Sequence, residues 1–146
     1  DNYVGARLVR HGWGAAFGKG AYAGLFRKGT KRWGDERVHP KVRFDGTAGP
    51  RLTQPLVHYV DRNVSDMVAR LNRYTSLHAQ DLRDRWRAAG GPDETLGRNL
   101  RRIAGRFYKC YWRRQGYREG KWGILIAMMA ALYPILSYLK AVLEDE

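Results

Sequence analysis

The sequence predicts an α/β chain of the α+β kind: short strands and loops first, then two amphipathic helices, then an apolar helix. Three observations carry this. Residues 1–50 are rich in Gly, aromatics and base, with only short apolar bursts. From Asn63 onward, apolar residues recur every three or four positions. No residue from Trp122 to Leu139 is charged, whereas Arg98 through Lys121 holds nine Lys or Arg and one acid, Glu119.

In the first segment, residues 1–62, Gly12, Gly14, Gly18, Gly20, Gly24 and Gly29 interrupt every candidate helix. Short strands are expected at Ala23–Arg27 and at Val38–Phe44, where Val38, Val42 and Phe44 alternate and Pro40 confines the strand to an edge or bulge. Asp45-Gly46 signals a turn. Leu52–Val60 is a further strand candidate.

The second segment, residues 63–120, holds the basic amphipathic helices. Asn63 and Ser65 are good N-caps and Asp66 suits a first turn. Met67, Leu71, Tyr74, His78, Leu82 and Trp86 form one stripe, and Ala89-Gly90-Gly91-Pro92 ends the helix. The next begins near Asp93 to Thr95, with its stripe on Leu96, Leu100, Ile103, Phe107 and Cys110/Tyr111. The third segment, residues 121–146, is the apolar helix and an acidic tail.

The chain has 146 residues, 44% of them hydrophobic, and a formal net charge of +13, so it can build a core and should meet anionic partners. The single cysteine, Cys110, allows neither an intrachain disulfide nor a Cys-rich metal site. No zinc-finger spacing or RNP-like segment is visible, so nucleic acid is not an expected partner. The N-terminus lacks a signal peptide's apolar core and a Met; the expectation is a C-terminal part of a longer protein.

Trp122–Leu139 is slightly short of the roughly 20 apolar residues that a bilayer span needs, and it contains Gly123 and Pro134. A core helix, a span and an interfacial helix all fit, the interfacial one best. Arg113, Arg114, Arg118, Lys121 and Trp122 are the expected membrane-binding residues, cations for anionic head groups and an indole for their depth. In the first segment, Arg27-Lys28-Gly29-Thr30-Lys31-Arg32-Trp33 sets four cations beside an indole, suited to a phosphate and a sugar or base, or simply to a solvated loop. Candidate bases there are Asp35, Glu36 or Asp45, or a histidine, and His11 and His39 suit polar sites.

Several stretches occur in an order that resembles the C-terminal half of bacterial family 2 glycosyltransferases of the lipopolysaccharide core-biosynthesis type. They are Asn2–Trp13, Leu25-Phe26-Arg27-Lys28-Gly29, Arg32-Trp33, Val38-His39, Pro55-Leu56-Val57-His58-Tyr59, Leu71-Asn72-Arg73-Tyr74-Thr75 and Tyr117–Gly123. The resemblance covers nearly all of the chain. It implies a glycosyltransferase A-type fold and an inverting enzyme, a transferase acting at the cytoplasmic face of the bacterial inner membrane. Such an enzyme moves a sugar from a nucleotide-sugar donor to a lipid-linked glycan acceptor, with Mg²⁺ or Mn²⁺ neutralising the leaving diphosphate. Substrate-binding positions would be His11, Trp13, Arg27, Arg32 and Trp33; catalytic ones would be His39 with Asp35 or Glu36.

Two departures bear on this. No Asp-x-Asp metal motif precedes the C-terminal tail, so the nucleotide-binding half is expected elsewhere and this chain alone should not turn over a nucleotide sugar. Pro40 stands where relatives carry Glu after the His. The alternative reading is a non-catalytic, basic, membrane-peripheral binding protein.

Overall fold

The computed structural model describes residues 1–14, 23–38 and 40–144. Within them the fold is mixed α and β, with two small sheets and three α-helices. Strands β1 (Asn2–Val4), β2 (Arg7–Val9), β3 (Lys31–Trp33), β4 (Val42–Phe44) and β5 (His58–Asp61) precede helices α1 (Val64–Ala89), α2 (Leu96–Tyr108) and α3 (Lys121–Leu143).

β1 and β2 form a tight antiparallel hairpin, pairing Asn2 with Val9 and Val4 with Arg7. Gly5 turns it at φ +56°, and a Cβ there would lie 2.9 Å from the Arg62 carbonyl oxygen, so glycine is required on two counts. β5 joins β1 in parallel to give the order β2-β1-β5. β3 and β4 make a separate hairpin. The strands expected at Ala23–Arg27 and over most of Leu52–Val60 are irregular, and pairing begins only at His58. Pairing partners rather than local apolar alternation decide which segments become strands.

α1 starts where its cap does. The Asn63 side chain accepts the Asp66 N–H at 2.9 Å, and Asp66 complements the positive helix end. It ends on Gly90 in the left-handed conformation at φ 79°, with the Gly91 N–H returning to the Trp86 carbonyl at 2.9 Å. Thr95 caps α2. α2 continues through a π-helical turn, Lys109–Arg113, into a 3-10 turn, Gly116–Glu119, and this elbow leads into α3.

α3 packs against both α1 and α2. Val4, Val9, Trp13, Met67 and Ile126 make one core cluster, with Trp122 packed on it. Ala79, Leu82, Trp86 and Ala141 make another. The first lies near the start of α1 and α3 and the second near their ends, so the two helices run in the same direction. A polar clamp ties the last turn of α3 to the first half of α1: Lys140 Nζ donates to Asn72 Oδ1 at 2.6 Å and to Ser76 Oγ at 2.8 Å. Arg83 donates to the Lys140 and Glu144 carbonyls at 3.1 and 3.0 Å, satisfying groups that the helix end leaves open.

The stripe expected on α1 faces this core, with Met67, Leu82 and Trp86 buried. The one expected on α2 does so only in its later part: Leu96 and Leu100 are exposed, Ile103 and Phe107 are half-buried and Cys110 is buried, while Asn99 is fully buried near the helix start. Its amide donates to Glu94 Oε2 and the Thr95 carbonyl, both at 3.1 Å, and it accepts from Arg102. A buried amide with its partners supplied costs little.

Candidate functional site

The residues singled out in the sequence fall in separate places. His11 and Trp13 lie at the junction of the first hairpin with the elbow. The Glu119 carboxylate accepts the backbone N–H of Arg10 at 2.9 Å and of His11 at 3.0 Å, and pairs with Arg7 at 3.6 Å. Gly12 N–H donates to the Arg114 carbonyl at 2.9 Å, and the Arg114 guanidinium donates to the Trp13 carbonyl. Trp13 itself is only 3% exposed, and its indole N–H is given to the Val9 carbonyl at 2.7 Å. The resemblance puts Trp13 among the substrate-binding positions, but a ring so enclosed has no face for a ligand, and Trp13 belongs to the first core cluster.

Three glycines permit that junction. A Cβ on Gly12 would lie 2.8 Å from Gly116 Cα, and one on Gly116 would lie 2.8 Å from the Cys110 carbonyl oxygen. One on Gly123 would overlap the Gly116 carbonyl outright. Backbone therefore packs on backbone where hairpin, elbow and α3 meet. Cys110 is buried there, and that burial pushes its thiol above the usual range.

Arg27, Arg32, Trp33, Asp35 and Glu36 belong to the second hairpin and its flanks. Its register pairs Lys31 with Phe44, Arg32 with Arg43 and Trp33 with Val42. Alternation gives it two faces. On one, Lys31 Nζ sits 3.8 Å from the Trp33 ring centroid and 4.5 Å from that of Phe26, with Phe44 at 5.8 Å. On the other, Arg32 and Arg43 stand side by side, and Arg32 pairs with Asp45 at 3.0 Å. Trp33 is 60% exposed. Arg27 is exposed, while its carbonyl accepts from the Thr30 backbone and hydroxyl.

A lone two-stranded hairpin is marginal in water. Arg37 ties this one to α1, donating to Asp81 Oδ1 at 2.8 Å and Asp84 Oδ2 at 2.6 Å while its backbone N–H also reaches Asp81. Glu36 closes the loop between the strands. It accepts the Lys41 N–H at 3.1 Å, which with the Lys41 charge holds its carboxyl below the usual range. It is thus a stabilised anion and a weakened proton acceptor. Asp35 is exposed on the same loop. His39 lies outside the described residues.

Of the expected membrane-binding residues, Arg113, Arg118 and Lys121 are exposed on the elbow and at the start of α3. Arg114 is instead committed to Trp13, and Trp122 is half-buried against the first core cluster. Sequence reasoning missed the aromatic surface of the elbow. Tyr108, Trp112 and Tyr117 are 57%, 55% and 46% exposed, and Trp112 and Tyr117 touch at 5.8 Å between centroids. It also missed Phe26, Lys31 and Phe44, which only the strand register brings together.

Among the described residues, no three His, Cys, Asp or Glu side chains converge as a metal cluster, so no divalent-ion ligands are assigned to this chain. No family model matches the chain, and no curated protein or solved structure does.

Proposed function

We propose that this chain is the acceptor-side and membrane-binding part of an inverting family 2 glycosyltransferase with a glycosyltransferase A-type fold. The reaction would move a sugar from a nucleotide-sugar to a lipid-linked glycan, such as lipopolysaccharide core, at the cytoplasmic face of the bacterial inner membrane. The observation that carries this is the ordered run of resembling stretches from Asn2 to Gly123. The exposed Arg32 and Trp33 on a hairpin strapped to α1 are compatible with it.

In this reading Trp33 stacks on a sugar ring, and Arg27 and Arg32 hold anionic groups of the glycan or donor. An acceptor hydroxyl attacks the anomeric carbon from the face opposite the leaving nucleoside diphosphate and gives its proton to a base. Asp35 or His39 is the candidate base, since Glu36 is committed to its loop. His11 remains a candidate for the acceptor side, its backbone set by Glu119. Mg²⁺ or Mn²⁺ would be held by the nucleotide-binding half, and among the described residues no three His, Cys, Asp or Glu side chains converge to hold it.

The test is sugar transfer by the complete gene product that carries this chain. Labelled nucleotide-sugars are supplied with membrane lipid acceptors, and incorporation into the lipid fraction is expected from one of them. Absence of transfer from every donor, with vesicle binding intact, would favour the second reading, a non-catalytic membrane-peripheral protein. The exposed basic elbow favours that reading independently of the hairpin.

A further inference from the structure

α3 is apolar enough to cross a membrane, yet much of its surface is already in use. Gly123, Ile126, Ala127, Ala131, Ile135 and Ala141 are among its buried residues, and α1 and α2 flank it. Its exposed large apolar residues fall in two places, a ridge in its first half and Val142 with Leu143 at its C-terminal end. Ile124, Met128 and Leu132 are 42%, 48% and 36% exposed, and their spacing of four sets them on one ridge about 12 Å long at 1.5 Å per residue. The elbow packs on α3 and carries exposed Trp112 and Tyr117, and Tyr108 at the end of α2 is exposed too. Arg113, Arg118 and Lys121 are exposed there too. The elbow's one acid, Glu119, is buried and occupied by backbone N–H groups and Arg7.

We propose that this face docks on an anionic phospholipid leaflet, with α3 lying along the surface rather than crossing it. The proposal rests on the membrane-binding part of the reading above and is independent of its sugar chemistry. An apolar ridge and exposed indole and phenol rings suit the head-group level, and the exposed arginines and lysine of the elbow, whose one acid is buried, complement anionic lipid. Crossing would carry α1 into hydrocarbon, because α1 is packed along α3 and bears Arg70, Arg73, Arg83, Arg85 and Arg87. Surface docking leaves those arginines in water.

The test is flotation of the full chain with phosphatidylcholine vesicles, with and without phosphatidylglycerol. Binding is expected only with the anionic lipid and should weaken about tenfold or more at high salt. Ile124→Gln with Met128→Gln should weaken it about tenfold, and so should Arg113→Glu with Arg118→Glu, with circular dichroism unchanged. Should the first pair unfold the chain, the second decides, because both arginines are exposed. Alkaline carbonate should release the bound protein, and lipids brominated near the head group should quench its tryptophans. Equal binding to neutral vesicles, unaffected variants, resistance to carbonate, or a stable dimer that hides the ridge would each overturn the proposal. Intact binding without sugar transfer would remove the catalytic reading and leave this one standing.

Discussion

Glu119, at the end of the elbow, holds the backbone N–H of His11 at 3.0 Å across 108 residues of sequence. The same carboxylate takes the neighbouring N–H of Arg10, so one buried side chain fixes the first hairpin to the root of α3. Glu119→Ala strands two donors in a largely dry site and should cost about 2–3 kcal/mol, against a smaller loss for Glu119→Gln, which keeps an acceptor. Chemical denaturation of the variants checks this. Equal midpoints for Glu119→Ala and the parent would show that the junction does not depend on the carboxylate.

Gly123→Ala should be more damaging than any exposed substitution in α3. The added methyl meets the Gly116 carbonyl, which is backbone and cannot rotate away. A loss of about 3 kcal/mol is expected, whereas Gly97→Ala on α2, where the same methyl meets nothing within 4 Å, should be neutral or slightly stabilising. Thermal melts of the pair give the comparison.

His78 predicts an acid sensitivity. It stacks on Tyr133 at 5.6 Å, and burial lowers its pKa, with Arg85 and Arg106 adding to this while Asp81 and Glu94 oppose it. A histidine whose folded pKa lies below its unfolded one, near 6.5, binds more protons when unfolded across that window. Its contribution is therefore complete above about pH 6.5 and declines as pH falls toward the folded pKa. The unfolding midpoint should drop between about pH 7 and pH 5, and His78→Phe should flatten that slope.

Arg37→Ala should free the second hairpin without unfolding the molecule. The pairs it makes are at the surface and count for little globally, yet they are the strap between the hairpin and α1. The Gly34 and Asp45 amides, which donate to Lys41 and Thr30 at 2.7 and 2.8 Å, should exchange faster with solvent while those of α1 are unchanged. Equal exchange would show that the hairpin holds itself.

Much of the helical part was legible because its signals are local. Asn63 and Thr95 cap where a side-chain oxygen before an apolar run says they should, and Gly90 stops α1 by its left-handed backbone. The β part was less so, because β1 pairs with β5 through partners some 56 residues apart, such as Asn2 and His58. Trp13 shows the limit for the site. An indole among Gly and His reads the same whether it stacks on a sugar or plugs a core, and only the Val9 carbonyl and the enclosure decide. The Lys31 cluster needs the register of two strands, and no one-dimensional pattern states a register.

The exposed face of the second hairpin is proposed to serve sugar transfer. The most direct measurement is the transfer rate of the complete gene product carrying Arg32→Ala or Trp33→Ala, beside its binding to anionic vesicles. Both side chains are exposed, so folding and membrane binding should persist. Each substitution should lower transfer about tenfold or more while vesicle binding is unchanged. Parental transfer rates in both variants would contradict it and take the hairpin out of the site.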